Sequence, residues 1–210
     1  HITAEGDSVR MSYTVPSNMV AVGNGKLRSV KTENNKSTYE WFVSNPINNY
    51  NISVQIGNYV AVQDTFIKDD TIHEMNHYVL DYNKELASNY FTQSKEVIRF
   101  YEKYFGDYQW YEDGYKLIEV PYLGMEHQSA VTYGNGFSIY NGERSKSWPM
   151  YGVIDPLIIH ETGHEWFGNS VTASDPTHIW IHEGLQVYSE AIYFEDKFDS
   201  YEVGIHYLNT

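Results

Sequence analysis

The chain contains no cysteine. That excludes a disulfide framework and a thiolate zinc site alike. Basic residues are scarce: 14 Lys and Arg stand against 28 Asp and Glu, a formal charge of −14. With no basic stripe to displace counterions from phosphates, nucleic acid is not an expected partner. No apolar run approaches the ~20 residues that span a bilayer, so no membrane-spanning segment is expected. No positively charged and then apolar leader opens the segment. Repeats and low-complexity tracts are also missing. What is present is a globular composition, 41% hydrophobic and 16% aromatic with 20 tyrosines, over 210 residues. That is enough for one large domain or parts of two.

Residues 8–81 read as strands. VRMSYTV, MVAVGNGKL, STYEWFVS, YNISVQIGNYVAVQ and IHEMNHYVLDY alternate or are rich in β-branched and aromatic side chains. Gly23–Gly25 is expected to form a hairpin turn, and Thr32–Ser37 and Asn45–Tyr50 loops. Beyond Asp81 the period changes. Leu86, Tyr90, Phe91, Val97, Ile98, Tyr101 and Phe105 recur at helical spacing, with Gly106 as the stop. Tyr115–Leu123 reads as a strand, and Val131–Tyr140 as a strand pair about a glycine turn. Residues 134–147 are the most loop-like part of the second half.

The segment DPLIIHETGHEWFGN, Asp155–Asn169, predicts a helix with Asp155 as N-cap, Pro156 in the first turn and Gly168-Asn169 as the stop. His160 and His164 are four apart. At about 1.5 Å and 100° per residue they share a face, so both imidazoles can reach one tetrahedral zinc at about 2 Å. Glu161 lies about 100° around the helix, within reach of a water on that ion rather than of the ion itself. Catalytic zinc takes a third protein ligand. HIWIHEGLQVYSEAIYFE, a second helix over His178–Glu195, offers His178, His182, Glu183 and Glu190. Gly163, inside the first helix, suggests a close packing neighbour.

Eighteen residues separate His164 from Glu183, the spacing of the gluzincin metallopeptidases. The run from HETGHEWFGN to WIHEGLQVYSE resembles the zinc motif of the aminopeptidase N (alanyl aminopeptidase) family. It departs at His182, where that family usually has asparagine. EVPYLGMEHQSAVTY resembles the family's Gly-x-Met-Glu-Asn loop, here Gly124, Met125, Glu126 and His127, with one residue fewer and a histidine for the asparagine. VPSNMVAVGNGKL and YEWFVSNPINNYNISVQIGNY resemble the last strands of its N-terminal β-domain.

The resemblance implies one Zn²⁺ on His160, His164 and Glu183, with Glu161 as general base toward the zinc-bound water. It implies that Gly124, Met125 and Glu126 bind substrate, Glu126 taking the free α-amino group. Glu190, two turns beyond Glu183, is expected to accept an N–H from a ligand imidazole. His127 and His182 are expected to pack or hydrogen-bond rather than ligate. Trp166 and Phe167 are expected to pack behind the metal helix. The implied fold is α+β: the end of a β-sandwich-like N-terminal domain, residues 1–66, then the first part of a thermolysin-like domain, 67–210. The chain is thus expected to be a fragment, with the family's oxyanion-stabilising tyrosine downstream of it. The implied function is hydrolysis of the N-terminal peptide bond of peptides with a free N-terminus. A related endopeptidase or epoxide hydrolase, and a non-catalytic metal-bound peptide-binding module, are the other readings. The residues assign no compartment, although a secreted or periplasmic place suits a scavenging peptidase.

Overall fold

A computed structural model of the chain describes residues 5–137 and 154–209. The described chain opens with eight strands: β1 (Glu5–Gly6), β2 (Val9–Pro16), β3 (Val20–Gly23), β4 (Lys26–Glu33), β5 (Lys36–Val43), β6 (Ile47–Asn48), β7 (Val54–Gly57) and β8 (Tyr59–Lys68). There follow β9 (Thr71–Leu80), α1 (Lys84–Tyr90), α2 (Gln93–Phe105), β10 (Leu117–Glu119), β11 (Gly124–Met125) and β12 (Val131–Tyr133). The chain then enters α3 (Pro156–Gly163), α4 (Trp180–Phe198) and α5 (Tyr201–Leu208). Part of the expected strand pair over 131–140, and most of the loop expected over 134–147, lie outside the described residues.

β2, β5 and β4 form one antiparallel sheet, β3 pairs with β7, and β1 with β6. The alternation along β5 buries Ser37, Tyr39, Trp41 and Val43, facing Met11, Ala21 and Val22 in one apolar cluster. The true hairpin turns are Asn34-Asn35 (φ 51 and 59) and Asp69-Asp70 (φ 46 and 61). Paired positive φ is what a two-residue turn between twisted strands demands, and Asn and Asp tolerate it.

Gly23–Gly25 is not a hairpin: β3 pairs with β7, while β4 pairs with β5. Gly25, at φ 73, lies where a Cβ would meet the Phe42 carbonyl oxygen at 2.1 Å. The glycine serves a close approach between strands rather than a reversal. The expected strand over 50–63 is likewise split between β7 and β8, which belong to different sheets.

A mixed sheet in the order β11-β12-β10-β9-β8 forms the centre. Residue 66, the expected domain edge, falls inside β8. β10 runs parallel to β9 and to β12. The chain between β9 and β10 includes α1 and α2, a connection long enough for parallel pairing. The expected single helical stretch breaks at Phe91-Thr92. There Thr92 Oγ1 and Ser94 Oγ each bond a carbonyl three residues back, competing with the helix ladder. Leu86 is exposed, whereas Tyr90, Phe91, Val97, Ile98 and Tyr101 enter the main core with Leu117, Val131, Ile158 and Ile159.

Candidate metal centre

α3 opens as its sequence demands. Asp155 Oδ1 accepts the Leu157 N–H at 2.9 Å, and its Oδ2 accepts the hydroxyls of Tyr90 (2.6 Å) and Tyr133 (2.7 Å). The cap therefore pins the helix start to α1 and β12 at once. Regular α-helix ends at Gly163, five residues short of Gly168. Beyond it the bonds mix spans, Trp166 N to Gly163 O and Asn169 N to His164 O. Gly163 lies against α2 and α4. A Cβ there would stand 2.1 Å from the Tyr101 hydroxyl and 2.4 Å from Gln186 Nε2. Trp166 stacks on Tyr101 at 5.0 Å, and Phe167 packs on Phe105 at 5.1 Å.

This packing brings His160, His164 and Glu183 together. The two Nε2 atoms are 3.2 Å apart, and each is 3.7 Å from Glu183 Oε2. Ligands about 2 Å from a tetrahedral ion stand about 3.3 Å from one another, so the triangle has the size of one metal ion's coordination shell. Both Nδ1 atoms face acceptors: His160 faces Glu190 Oε1 at 2.7 Å and His164 the Phe167 carbonyl at 2.8 Å. Protons therefore belong on Nδ1, leaving the Nε2 lone pairs aimed at each other. Facing lone pairs beside a carboxylate call for a cation or a shared proton. Glu190 is buried and also accepts the Tyr207 hydroxyl from α5. Two imidazoles and one carboxylate suit zinc.

A second group overlaps the first. Ligand atoms of Glu126, Glu161 and His164 lie within 4.8 Å of one another. Glu126 and Glu161 are both buried, so the centre has a dry, acidic wall and an open rim at Glu183, whose side chain is 53% exposed. Gly124 closes that wall: a Cβ there would meet Glu161 Oε1 at 2.5 Å. Only a residue without a side chain lets edge strand β11 run this close to Glu161. Met125 follows in β11, which pairs with β12 on one side and, among the described residues, ends the sheet on the other. A cavity of about 550 Å³ opens between Met125, Glu126, Tyr50, Ile179, His182 and Glu183.

Electrostatics follow from burial. Burial alone would lower the His160 pKa, but the Glu190 carboxylate, helped by Glu161 and Glu183, outweighs it and lifts the imidazole to about 9. Burial and the neighbouring His160 hold His164 down at about 4. Glu161 is raised to about 8, first by burial, with Glu126 and Glu183 adding and His160 opposing. A shared proton thus belongs to His160, and a metal ion would displace it.

Of the departures noted in the motifs, His182 is fully buried. Its Nε2 accepts the Ala173 N–H at 2.9 Å and its ring stacks on Tyr50 at 5.9 Å. His127 is half-buried. Four further residues around the site were given no functional role by the sequence reading: Tyr50, Asn51, Lys116 and Glu165. Asn169, read only as a helix stop, is a buried hydrogen-bonding hub. The signal for Glu165 was available, since it is a carboxylate directly after His164 in an apolar helix. The asparagines look like turn residues and carried none.

The chain is similar to known proteins over most of its length. Aminopeptidase M1-D of Oryza sativa subsp. japonica is 21% identical over 204 residues, 96% of this chain and 23% of its own length. Endoplasmic reticulum aminopeptidase 2 of Homo sapiens is 32% identical over 132 residues, 59% of this chain and 14% of its own. Leucyl aminopeptidase of Saccharolobus solfataricus is 26% identical over 184 residues, 85% and 22% respectively. The chain spans about a quarter or less of these relatives. The crystal structure of an M1 zinc metallopeptidase from Deinococcus radiodurans has the same fold, with a TM-score of 0.73 at 20% identity, over 90% of this chain and 40% of that one. Among the described residues no helix is long and apolar enough to cross a membrane. The peptidase family M1 domain matches residues 90–210, more than half of the chain, and the chain belongs to that family.

Proposed function

We propose that the protein is a zinc-dependent aminopeptidase, removing N-terminal residues from peptides with a free α-amino group. The observation that carries this is the shared centre: a metal-sized triangle of His160, His164 and Glu183 beside two buried carboxylates, Glu126 and Glu161. The resemblance of the chain to named aminopeptidases supports the same reading.

His160, His164 and Glu183 hold the ion, and Glu190 holds His160 in the tautomer that presents Nε2. When bound, zinc supplies Lewis-acid polarisation of the scissile carbonyl and a lowered pKa for a coordinated water. Glu161, buried beside it, takes the proton from the attacking water and returns it to the leaving amine. Glu126 pairs with the substrate ammonium. Its burial keeps water from screening that pair, and its closeness to Glu161 leaves room for only one residue before the bond to be cut. The outer edge of β11 at Gly124-Met125, where the sheet ends among the described residues, offers backbone groups along which an extended peptide lies. The cavity bounded by Tyr50, Met125 and Ile179 receives the first side chain.

The test uses the full-length protein and two peptides that differ only in N-acetylation. The expected result is a preference for the free amine of at least about 10²-fold, the scale on which a site rejects a substrate that leaves its buried polar group unpaired. Glu161→Gln is expected to cut turnover by about 10² to 10⁴-fold with zinc retained. Equal cleavage of the two peptides contradicts the aminopeptidase reading. Unchanged turnover in Glu161→Gln contradicts the assigned base.

A further inference from the structure

The turn that carries Glu126 is tied to the metal helix by two side chains for which the proposed reaction has no use. Glu165 follows His164 directly, and Asn169 lies four residues on. Both are buried. Glu165 Oε1 accepts the Ser129 N–H at 2.7 Å, and its Oε2 accepts Asn169 Nδ2 at 3.1 Å. The same Asn169 amide donates to the Glu126 carbonyl at 2.8 Å. One segment thus grips the turn 126–129 at both ends.

The gripped turn is not a relaxed one. Ser129 sits at φ 58, a region that a residue with a side chain keeps only when its surroundings impose it. Each of its polar groups is engaged. Its N–H donates to Glu165, its Oγ accepts the Gly25 N–H at 2.9 Å, and its carbonyl accepts Lys116 Nζ at 2.7 Å. A third arm comes from the N-terminal strands, where Asn51 Nδ2 donates to Asn169 Oδ1 at 2.7 Å. That bond fixes which way the Asn169 amide faces, because its Nδ2 must then meet the acceptors at Glu165 and Glu126.

We infer that Asn169, held by Glu165 and Asn51, is a positioning residue for amine recognition: it sets the backbone at Glu126 against the metal helix, and so fixes the distance from the bound ammonium to the metal centre. The inference rests on the aminopeptidase reading above. Glu126 and the metal ligands stand on different elements, and a separation between them defines where the substrate is cut. Glu126 pairs with the ammonium in the bound substrate and in the transition state alike, so displacing it weakens both and is read in KM rather than in kcat.

Asn169→Asp tests this in the full-length protein, since it keeps the shape and turns a donor into an acceptor facing two acceptors. KM for a free-amine peptide is expected to rise about tenfold or more while kcat changes less than about threefold, the pattern of lost substrate binding. Zinc stays at one per chain, and the preference over the N-acetylated peptide falls by the same factor as KM rises. Asn51→Ala, which removes only the outer arm, is expected to move both quantities in the same direction by a smaller factor, and it decides the matter if the first variant does not fold. An unchanged KM and preference in either folded variant overturns the inference. So does a joint loss of kcat, zinc and melting temperature at constant preference, which is the mark of a merely structural residue. The two readings fail differently. If Glu126→Gln abolishes the preference while Asn169→Asp and Asn51→Ala keep it, the inference alone fails. If the wild-type protein shows no preference, the aminopeptidase reading fails and takes the inference with it.

Discussion

The two faces of the five-stranded sheet hold the site by different physics. On the helix side, Val79, Leu117, Val131 and Tyr133 meet Phe91, Ile98, Tyr101 and Ile158 in an apolar, aromatic core. On the strand side, Tyr78, Ile118 and Ala130 join the smaller cluster, and around them buried polar groups bridge the elements. Asn24 Nδ2 donates to the carbonyls of Asn51 and Gln128, its Oδ1 accepts the Ser53 N–H, and Lys116 Nζ donates to Gly25 and Ser129. Apolar burial is strong and non-directional, so it fixes the metal helix as a body. Hydrogen bonds are weaker in net energy and directional, so they fix where the substrate turn stands.

That contrast can be broken from either side. The largest effect is expected in the apolar core. Phe91 is fully buried against Tyr133 and Phe137 at ring distances of 5.2 and 5.5 Å. Phe91→Ala is expected to cost about 3–5 kcal/mol, read as a lower denaturation midpoint.

The imidazole inside that core comes next. His77 accepts the Leu117 N–H at 3.0 Å and packs on Phe91 at 5.3 Å. Burial, aided by Lys95 and Lys116 and opposed by Asp64, lowers its pKa from 6.5 to about 4. The folded state thus binds the proton less well than the unfolded chain does. Stability is fully present above pH 6.5 and is lost as the pH falls through about 4. The loss approaches about 3 kcal/mol below that range. Urea melts at pH 7 and pH 4 check it, and His77→Gln should flatten the difference.

A functional break of similar size belongs at the wall between the two systems. Gly124→Ala places a methyl group 2.5 Å from where Glu161 Oε1 now stands. It is expected to lower turnover by about 10²-fold with little change in melting, because it displaces the proposed base rather than the core. The smallest effect is on the polar side. Asn24→Ala should cost about 1–3 kcal/mol, the penalty of leaving buried partners unpaired.

Legibility in the sequence follows the same division. Helix geometry converts spacing directly into space, so Asp155-Pro156 foretold the start of α3, and the four-residue spacing foretold that His160 and His164 meet. Alternation foretold β2, β5 and β9 for the same reason. The end of α3 was not legible, because it depends on what Gly163 must approach from α2 and α4. Nor was the fate of Gly23–Gly25, where the same residues that make hairpins serve a passage between sheets. Buried asparagines were invisible for a chemical reason. Asn24, Asn51 and Asn169 satisfy partners far along the chain, and a local pattern shows only their tolerance of turns.

The measurement that bears most directly on the central claim is zinc per chain, by elemental mass spectrometry after dialysis without added metal, on the wild type and on His164→Ala. The account predicts about one zinc per chain in the first and almost none in the second. A folded wild type without zinc, or a His164→Ala variant that keeps a full equivalent, would contradict the assignment of His160, His164 and Glu183 as one metal centre.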